Sequence, residues 1–255
     1  MQLTRFVDRL DERLRTDAYA SLDASANGLQ IGPEETELTH VAFAVDAAVE
    51  TIEDAAAAGA DAMVVHHGLS WGGFERVTGT QYRRLKPLLD NDIALYVAHL
   101  PLDGHQEIGN AAGVGDVIGL TDRSPFGDVG GEYIGQQGRL DPAQPTEEIV
   151  SQLAADLDTG GRDPRVFAFG PDRIEDVAIV TGSGADFLEE AATADVDALV
   201  TGEGKQQLYH EAKEAGITAI LAGHYATETF GVRSLQALAE EWDLETTYID
   251  RPTRL

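Results

Sequence analysis

The sequence contains no cysteine. Without thiols there is no disulfide framework, no thiol nucleophile and no thiolate metal site, so any metal site must use nitrogen and oxygen ligands. Lysine is almost as scarce, since only Lys86, Lys205 and Lys213 are present. No run of Lys and Arg is available to neutralise phosphates, which argues against a nucleic-acid partner and against an anionic membrane surface.

Long apolar runs are also missing. No stretch approaches the roughly 18–20 apolar residues that a transmembrane helix needs, and Met1 to Phe6 lack the apolar core of a signal peptide. We therefore expect a cytoplasmic protein that does not enter a membrane.

Acidic residues dominate the charge. Asp and Glu number 45 against 18 Lys and Arg, which gives a formal net charge of −27. A small domain needs a net charge of only about 2–8 for solubility. Because lysine is scarce beside arginine, we favour a halophilic protein with an acidic surface, adapted to molar salt where the Debye length is about 3 Å. The alternative is an acidic protein of an ordinary cytoplasm.

Two adjacent histidines follow a short apolar run. Residues 62–65 predict a buried strand, and His66 and His67 come directly after it. Neighbouring side chains of a strand point to opposite faces, so both imidazoles serve one site only where the strand ends. Gly68 allows that turn, and ligands of open α/β sheets bind beyond the carboxyl ends of the strands. We interpret the pair as ligands of two different metal ions.

An internal repeat extends this pattern. Residues 41–68 align without a gap with residues 177–204, and each copy predicts a strand, a helix and a strand, then a second helix and a third strand. After a shorter connector in the second copy, His99-x-x-x-Asp103 falls on His224-x-x-x-Glu228. This predicts an α/β fold of two pseudo-repeated lobes with mainly parallel strands, joined by right-handed crossovers and facing a shared metal site.

The segment between the two copies has a different character, with several glycines among short β-prone pieces. We expect a first α/β lobe over residues 1–120, a connecting subdomain with a small antiparallel sheet over 121–170, and a second α/β lobe over 171–255. The two lobes are expected to interlock as one compact unit.

The histidines and acidic residues at the strand ends form the predicted metal site. The proposed ligands of two divalent ions are His66, His67, Asp103, His224 and Glu228. Imidazole and carboxylate suit Zn, Fe, Mn, Co or Ni. Five protein ligands serve two ions only if one carboxylate bridges, and they leave the open positions of a catalytic site. The alternative is a set of unrelated polar loop residues, which we prefer for His40 and His105. His99 either orients a ligand without touching the metal itself or caps a helix.

Two further residues are candidates for proton transfer. Glu203, in Gly202-Glu203-Gly204, takes the place that His67 has in the first copy, and it either faces the site as a general base or is ordinary loop charge. His210, on the following helix, is the second candidate.

At these residues the sequence resembles the NGG-interacting-factor-three-like family, whose members are often called GTP cyclohydrolase type 2 homologues. The matching segments are Asn27–Gly32, Val65–Gly68 with Trp71, His99–Asp103, Thr201–Glu203 and Gly223–Glu228. The resemblance implies a dinuclear metal centre on the same five ligands and a toroidal homohexamer. Family members typically have proline where this chain has Gly68.

Two functions compete. The first is a dinuclear metal-dependent hydrolase that acts on a small cyclic amide or a purine nucleotide; ring-opening hydrolysis of GTP is one of the activities proposed in the family it resembles. Lys205, Arg233 and Arg76 are the few basic residues near the predicted site that would hold a triphosphate. The second is a metal-binding carrier, chaperone or cofactor-assembly protein without turnover. A nucleic-acid partner, suggested by the family's name, conflicts with the net charge of −27.

Overall fold

The computed structural model describes residues 1–33 and 35–255. The chain divides into two compact units, each of which takes residues from distant parts of the sequence. Unit 1 consists of Met1–Leu102 and Val232–Arg251, and unit 2 consists of Asp103–Gly231 and Pro252–Leu255. These borders differ from the expected ones at residues 120 and 170.

The described residues contain helices and strands in alternation through most of the chain. The α-helices are α1 (Leu3–Leu14), α2 (Val49–Ala57), α3 (Gly79–Asp90), α4 (Leu100–Asp103), α5 (Asn110–Val117), α6 (Thr146–Asp156), α7 (Leu188–Thr193), α8 (Gln207–Ala215), α9 (His224–Thr227) and α10 (Thr229–Glu241). The strands are β1 (Gly28–Ile31), β2 (His40–Asp46), β3 (Ala62–His67), β4 (Ala94–Val97), β5 (Thr121–Val129), β6 (Glu132–Pro145), β7 (Arg165–Phe167), β8 (Arg173–Val180), β9 (Ala198–Thr201), β10 (Thr218–Leu221) and β11 (Glu245–Tyr248).

Unit 1 contains a sheet with the strand order β1-β4-β3-β2-β11. Strands β4, β3, β2 and β11 are parallel, and β1 is antiparallel to β4. The central strand β3 is buried from Ala62 to His66, as its continuous apolar run predicts for a parallel strand covered on both faces. Leu3, Phe6, Leu10 and Leu14 of α1 are buried, in agreement with their helical spacing.

Unit 2 contains a sheet with the strand order β5-β6-β8-β9-β10-β7. Strands β8, β9 and β10 are parallel, whereas β5, β6 and β7 pair in antiparallel fashion. The expected antiparallel strands of the connecting segment therefore exist, but they extend this sheet because β6 pairs directly with β8. In the described residues the connecting segment is thus part of unit 2.

The two copies of the repeat share the register of their first two strands. Val41 pairs with Ala62 in unit 1, and the corresponding Val177 pairs with Ala198 in unit 2. The third strands differ, because Val65 pairs with Val97 whereas Thr201 pairs with Leu221. When the two repeats are aligned by this register, His99 is equivalent to Gly223, which is one residue before His224. The expected equivalence of His99 and His224 is therefore wrong by one residue, and Gly223, with φ of 101°, is the added position.

A repeated aspartate fastens the start of these strands in both units. The Asp61 carboxylate accepts hydrogen bonds from the backbone N–H groups of Thr39 and His40 at 2.7 and 2.9 Å. In unit 2 the carboxylate of Asp197 accepts them from Glu175 and Asp176 at 2.8 and 3.1 Å.

None of the helices in the described part of the chain is long and apolar enough to cross a membrane.

Candidate metal centre

The histidine pair of unit 1 lies where β3 ends. His66 is fully buried, and its Nδ1 is 2.8 Å from the carbonyl oxygen of Ala98. His67 is partly exposed, and its Nδ1 is 2.9 Å from Oδ1 of Asp46. A carbonyl oxygen can only accept, so Nδ1 of His66 carries the proton and donates it. That tautomer directs the lone pair to Nε2, which is the nitrogen that binds a metal.

His99 is the third histidine of this unit. Its Nδ1 lies 2.9 and 3.0 Å from the two carboxylate oxygens of Asp23, and its backbone N–H donates to Oδ1 of Asn27 at 2.7 Å. Burial alone would raise the pKa of Asp23, but hydrogen bonds from His99, Asn27 and Ser25 outweigh it and lower the pKa. Asp23 is therefore an ionised carboxylate that orients the His99 ring.

The three imidazoles of unit 1 converge. The ring centroids of His66 and His67 are 4.6 Å apart, and those of His99 lie 5.1 and 5.6 Å from them. One ring nitrogen of each lies within 4.8 Å of the other two, which is close enough for one ion to contact all three. Each ring is held through Nδ1 by a carboxylate or carbonyl, the arrangement that orients metal-binding histidines. Nitrogen donors of this kind suit first-row divalent ions.

The turn after the histidine pair is closely packed. A Cβ at Gly68 would lie 2.5 Å from Cγ2 of Val97, so only glycine fits at this position without a shift of its neighbours. Oε1 of Gln30 then accepts hydrogen bonds from the backbone N–H groups of Leu69 and Ser70 at 2.6 and 3.0 Å. The segment of residues 27–32 thus holds the loop that follows the pair.

Unit 2 contains the other three predicted ligands, beginning with Asp103. Asp103 is buried, and its Oδ1 accepts hydrogen bonds from Nδ2 of Asn110 at 2.8 Å and from Oγ1 of Thr181 at 3.1 Å. Two neutral donors therefore fix this carboxylate, and they bring it next to the turn that follows β8.

His224 lies between two carboxylates of unit 2. Its Nε2 is 3.2 Å from Oε1 of Glu228, and its Nδ1 is 3.1 Å from Oε1 of Glu203. Burial would lower the pKa of His224, but the hydrogen bonds and charges of Glu228 and Glu203 outweigh it and raise the pKa to about 9. Without a bound cation, His224 is therefore protonated at neutral pH. A metal ion would replace this proton as the positive charge between the carboxylates.

Gly182 makes the room for this arrangement. A Cβ on Gly182 would lie 2.1 Å from Oε1 of Glu228 and 3.2 Å from Nε2 of His224. The neighbouring Thr181 donates to Asp103, so the turn of residues 181 and 182 contacts all three predicted ligands of unit 2.

The two candidates for proton transfer lie in different surroundings. Glu203 accepts a hydrogen bond from Oγ of Ser183 at 2.5 Å, and this bond, together with His224 and against burial, lowers the pKa of Glu203. His210 is exposed on α8, and its ring contact is with the adjacent Tyr209 at 5.4 Å. The structure thus brings Glu203 to His224, but in the described residues it places no contact between His210 and either of them.

His40 and His105 make hydrogen bonds of a structural kind. Nε2 of His40 lies 2.8 Å from Oγ1 of Thr247 on the neighbouring strand. Nδ1 of His105 accepts from the backbone N–H groups of Glu107 and Ile108, both at 3.2 Å.

Comparison with known proteins identifies the family. The family model Duf34/NIF3 (NGG1p interacting factor 3) matches residues 1–254. The chain is a member of the DUF34/NIF3 family. The resemblance inferred from the motifs is therefore confirmed over almost the whole sequence.

Relatives in this family match from end to end. A protein of Halobacterium salinarum named "GTP cyclohydrolase 1 type 2 homolog" is 55% identical over 255 residues, which is 100% of both chains. A protein of Archaeoglobus fulgidus with the same name is 41% identical over 256 residues, again 100% of both. The crystal structure of TTHA1606 from Thermus thermophilus has a TM-score of 0.90 and 36% identity, with 100% of both chains covered. The DUF34/NIF3 fold is thus a mixed α/β fold with two sheets.

Proposed function

We propose that this DUF34/NIF3 protein is a metal-dependent hydrolase that acts on a small cyclic amide or a purine nucleotide. The proposed ligands of two divalent ions are His66, His67, Asp103, His224 and Glu228. The observation that carries the proposal is the convergence of His66, His67 and His99, each held through Nδ1 by a carboxylate or a carbonyl oxygen. Histidines that only fill a core do not need to be oriented in this way, each by its own acceptor at Nδ1.

The chemistry of the donors fits divalent first-row metals. Three imidazoles in unit 1, and in unit 2 the carboxylates of Asp103 and Glu228 with the imidazole of His224, are hard and intermediate ligands of the kind that Zn, Fe, Mn, Co and Ni accept. Divalent ions bound there would supply a hydroxide nucleophile near neutral pH, because they lower the pKa of coordinated water to about 7. His99, which offers a ring nitrogen beside His66 and His67, is placed to orient the pair or to bind with it.

Glu203 fits an orienting role better than that of a general base. A general base works best when its pKa lies near the working pH. The hydrogen bond from Ser183 and the charge of His224 lower the pKa of Glu203 instead. We propose that its carboxylate holds the His224 ring through Nδ1, as Asp46 holds that of His67.

The relatives' name suggests GTP, but two of the three basic residues named for its phosphates, Lys205 and Arg233, are engaged by other side chains. Lys205 lies 2.5 Å from Oδ2 of Asp186, and the Arg233 guanidinium lies 3.8 Å above the ring of Tyr248. The proposed substrate class is therefore wider than GTP, and includes cyclic amides that carry no triphosphate. From the family resemblance we also propose a toroidal homohexamer, which light scattering at several protein concentrations would test.

Metal content per chain tests the proposal. We expect mass spectrometry of untagged protein, purified in high salt, to find about two ions per chain, and fewer in Glu228→Ala. His210→Ala is the matched control, because this exposed histidine should leave the metal content unchanged. No bound metal, even after reloading with Zn, Mn or Fe, would refute the metal site.

A chelator separates the hydrolase from the carrier. A hydrolase should keep its ions against a mild chelator and should release product from a purine nucleotide or cyclic amide when loaded. A carrier should give up its ions quickly and should show no turnover on any of these compounds. The second result would replace the hydrolase with the metal-carrier function.

A further inference from the structure

A pocket of about 250 Å³ opens in unit 2 beside the loop that carries Glu203. Arg162 and Arg165 line it from the segment around β7, and Arg254 lines it from the last residues described. We call this cavity the arginine pocket. Its remaining lining includes Asp163, Glu203 and the backbone of Gly223.

The three arginines have no protein partner in the part of the chain that the structure describes. No hydrogen bond, ion pair or ring contact is made by the side chains of Arg162, Arg165 and Arg254. Acidic partners are plentiful in a chain with 45 Asp and Glu against 18 Lys and Arg, and Arg123 and Arg251 each pair with one. Arg162, Arg165 and Arg254 are exposed around one cavity, so an anion that enters it can contact their guanidinium groups.

Backbone features hold the arginine pocket in place. Arg165 is part of β7, where it pairs with Leu221 of β10. The stem of Arg254 lies on Gly160, where a Cβ would be 2.5 Å from Cγ of Arg254 and where φ is +60°. Only glycine allows that approach without strain. Strand pairing therefore fixes the backbone at Arg165, and the stem of Arg254 lies against Gly160, while both side chains stay exposed.

The side chains that line the arginine pocket carry a net positive charge. Asp163 and Glu203 oppose the three arginines, which gives a balance of +1 from the lining side chains (3 − 2). Glu203 is already engaged by Ser183 and His224. Arginines thus outnumber acidic side chains in the lining, although the chain as a whole carries −27.

We propose that the arginine pocket binds a phosphate group of a small phosphorylated molecule. A planar guanidinium group can donate two parallel hydrogen bonds to two oxygens of one phosphate, and Arg is favoured at sites that use such bidentate contacts. A volume of about 250 Å³ lies below the roughly 300–1,000 Å³ of sites for whole drug-sized ligands. The pocket therefore suits a phosphate with a short part of the attached molecule rather than an entire nucleotide.

The position of the pocket gives this phosphate an anchoring role. Glu203 lines the pocket and contacts Nδ1 of His224 at 3.1 Å, so a phosphate bound there leaves the rest of its molecule near His224. This orientation rests on the proposed metal-dependent function, whereas the binding of phosphate itself does not. The basic residues that a phosphate needs thus come from Arg162, Arg165 and Arg254. Arg162 and Arg165 are about 40 positions before Glu203 in the sequence, and Arg254 is about 50 positions after it.

Calorimetric titration of the metal-free full chain with pyrophosphate tests the proposal. Metal is removed first, so that the arginines and not a metal ion are measured. We expect one pyrophosphate per chain. Arg162→Gln and Arg165→Gln should each weaken binding about tenfold, which is about 1.4 kcal/mol, because each removes a charge-assisted hydrogen bond. Asp163→Asn should strengthen binding, since it removes an opposing charge.

Arg5→Gln is the matched control. Arg5 is exposed on α1, has no partner in the described residues and carries the same charge, so its replacement should leave pyrophosphate affinity unchanged. Equal affinities of all these variants and the unaltered protein, or no binding at millimolar pyrophosphate, would overturn the proposal. Metal content measured on the same variants should stay as in the unaltered protein, so failure of the metal site and failure of the pocket are distinguishable.

Discussion

The two sheets have equivalent strands but carry different side chains at the corresponding strand ends. Asp46 pairs with His67 across the ends of β2 and β3, and the Asp46 carboxylate orients the His67 ring. At the corresponding point of unit 2 the backbone N–H of Glu203 donates to the carbonyl of Gly182 at 2.9 Å. Gly182 has no side chain there, and Oε1 of Glu228 takes up the space instead. Unit 1 thus builds a site of imidazoles, whereas unit 2 builds one rich in carboxylates.

The features that the two units share are those that hold the strands. The register of the first two strands and the aspartate that caps them are the same in both units. Several side chains at the strand ends differ, as His67 and Glu203 do, which is expected where a fold supplies the frame and loops supply the function. Three predictions test this separation of frame and function.

The largest effect is expected from Gly182→Ala. The new Cβ would lie 2.1 Å from Oε1 of Glu228, at a backbone φ of +57°. Displacement of the buried Glu228 and the strained backbone should together lower the free energy of unfolding by about 2–4 kcal/mol. Urea unfolding measures the loss.

Gly119→Ala is the control for the backbone strain alone. Gly119 has φ of +70°, and nothing lies within 4 Å of its added Cβ. Its loss should be only about 1 kcal/mol. Equal losses for the two variants would show that the space at Gly182 is not needed by Glu228.

An intermediate effect is expected when the imidazoles of unit 1 lose their orienting carboxylates. Asp46→Asn and Asp23→Asn should each weaken Zn or Co binding about 10–100-fold, because such partners fix the ring and increase its basicity. Competition with a chromophoric chelator measures the affinity. Asp54→Asn, which breaks an exposed pair with Arg251, should leave the affinity unchanged. An effect of Asp54→Asn as large as the others would indicate a general charge effect rather than orientation.

The smallest effect is expected at the shared cap. Hydrogen bonds from His40 and Thr39 lower the pKa of Asp61 although burial opposes them. Because the pKa of Asp61 is lower in the folded protein, its carboxylate stabilises the fold fully at a pH above the unfolded-state pKa of about 3.9. This stabilisation is lost as the pH falls through the pKa of Asp61 in the folded protein. Asp61→Asn should therefore cost about 1 kcal/mol at pH 7 and less at pH 3.

Asp197→Asn provides the comparison between the units. Because its carboxylate accepts the corresponding backbone N–H groups, its loss at pH 7 should equal that of Asp61→Asn. Thermal unfolding of both variants measures the two losses. A large difference between them would break the equivalence of the two frames.

Local patterns predicted the frame well. The apolar run of residues 62–65 lies within the buried strand β3 as predicted, and both copies of the repeat contain the predicted strands and helices, because strand and helix periodicity are properties of neighbouring residues. The histidine pair at a strand end was also visible from the sequence, because it follows a short buried run directly.

Contacts between distant residues were not predictable in the same way. Asp23 lies 76 positions from His99, and nothing in its own turn indicates which side chain it orients. Arg162, Arg165 and Arg254 likewise share a pocket only through the pairing of β7 with β10 and the packing on Gly160. The one-residue offset between His99 and His224 was hidden too, since the matching spacing of the two motifs masked the difference in strand register.

The divided sequence of unit 1 has a consequence for its biosynthesis. Strand β11 pairs with β2 but is translated about 200 residues later, after almost the whole of unit 2. At ribosomal rates of about 5–20 residues per second, that edge of β2 waits roughly 10–40 s for its neighbour. An apolar strand with an open edge is a template for pairing with other chains. The nascent protein therefore passes through a period in which chaperone protection of β2 matters more than at any later time.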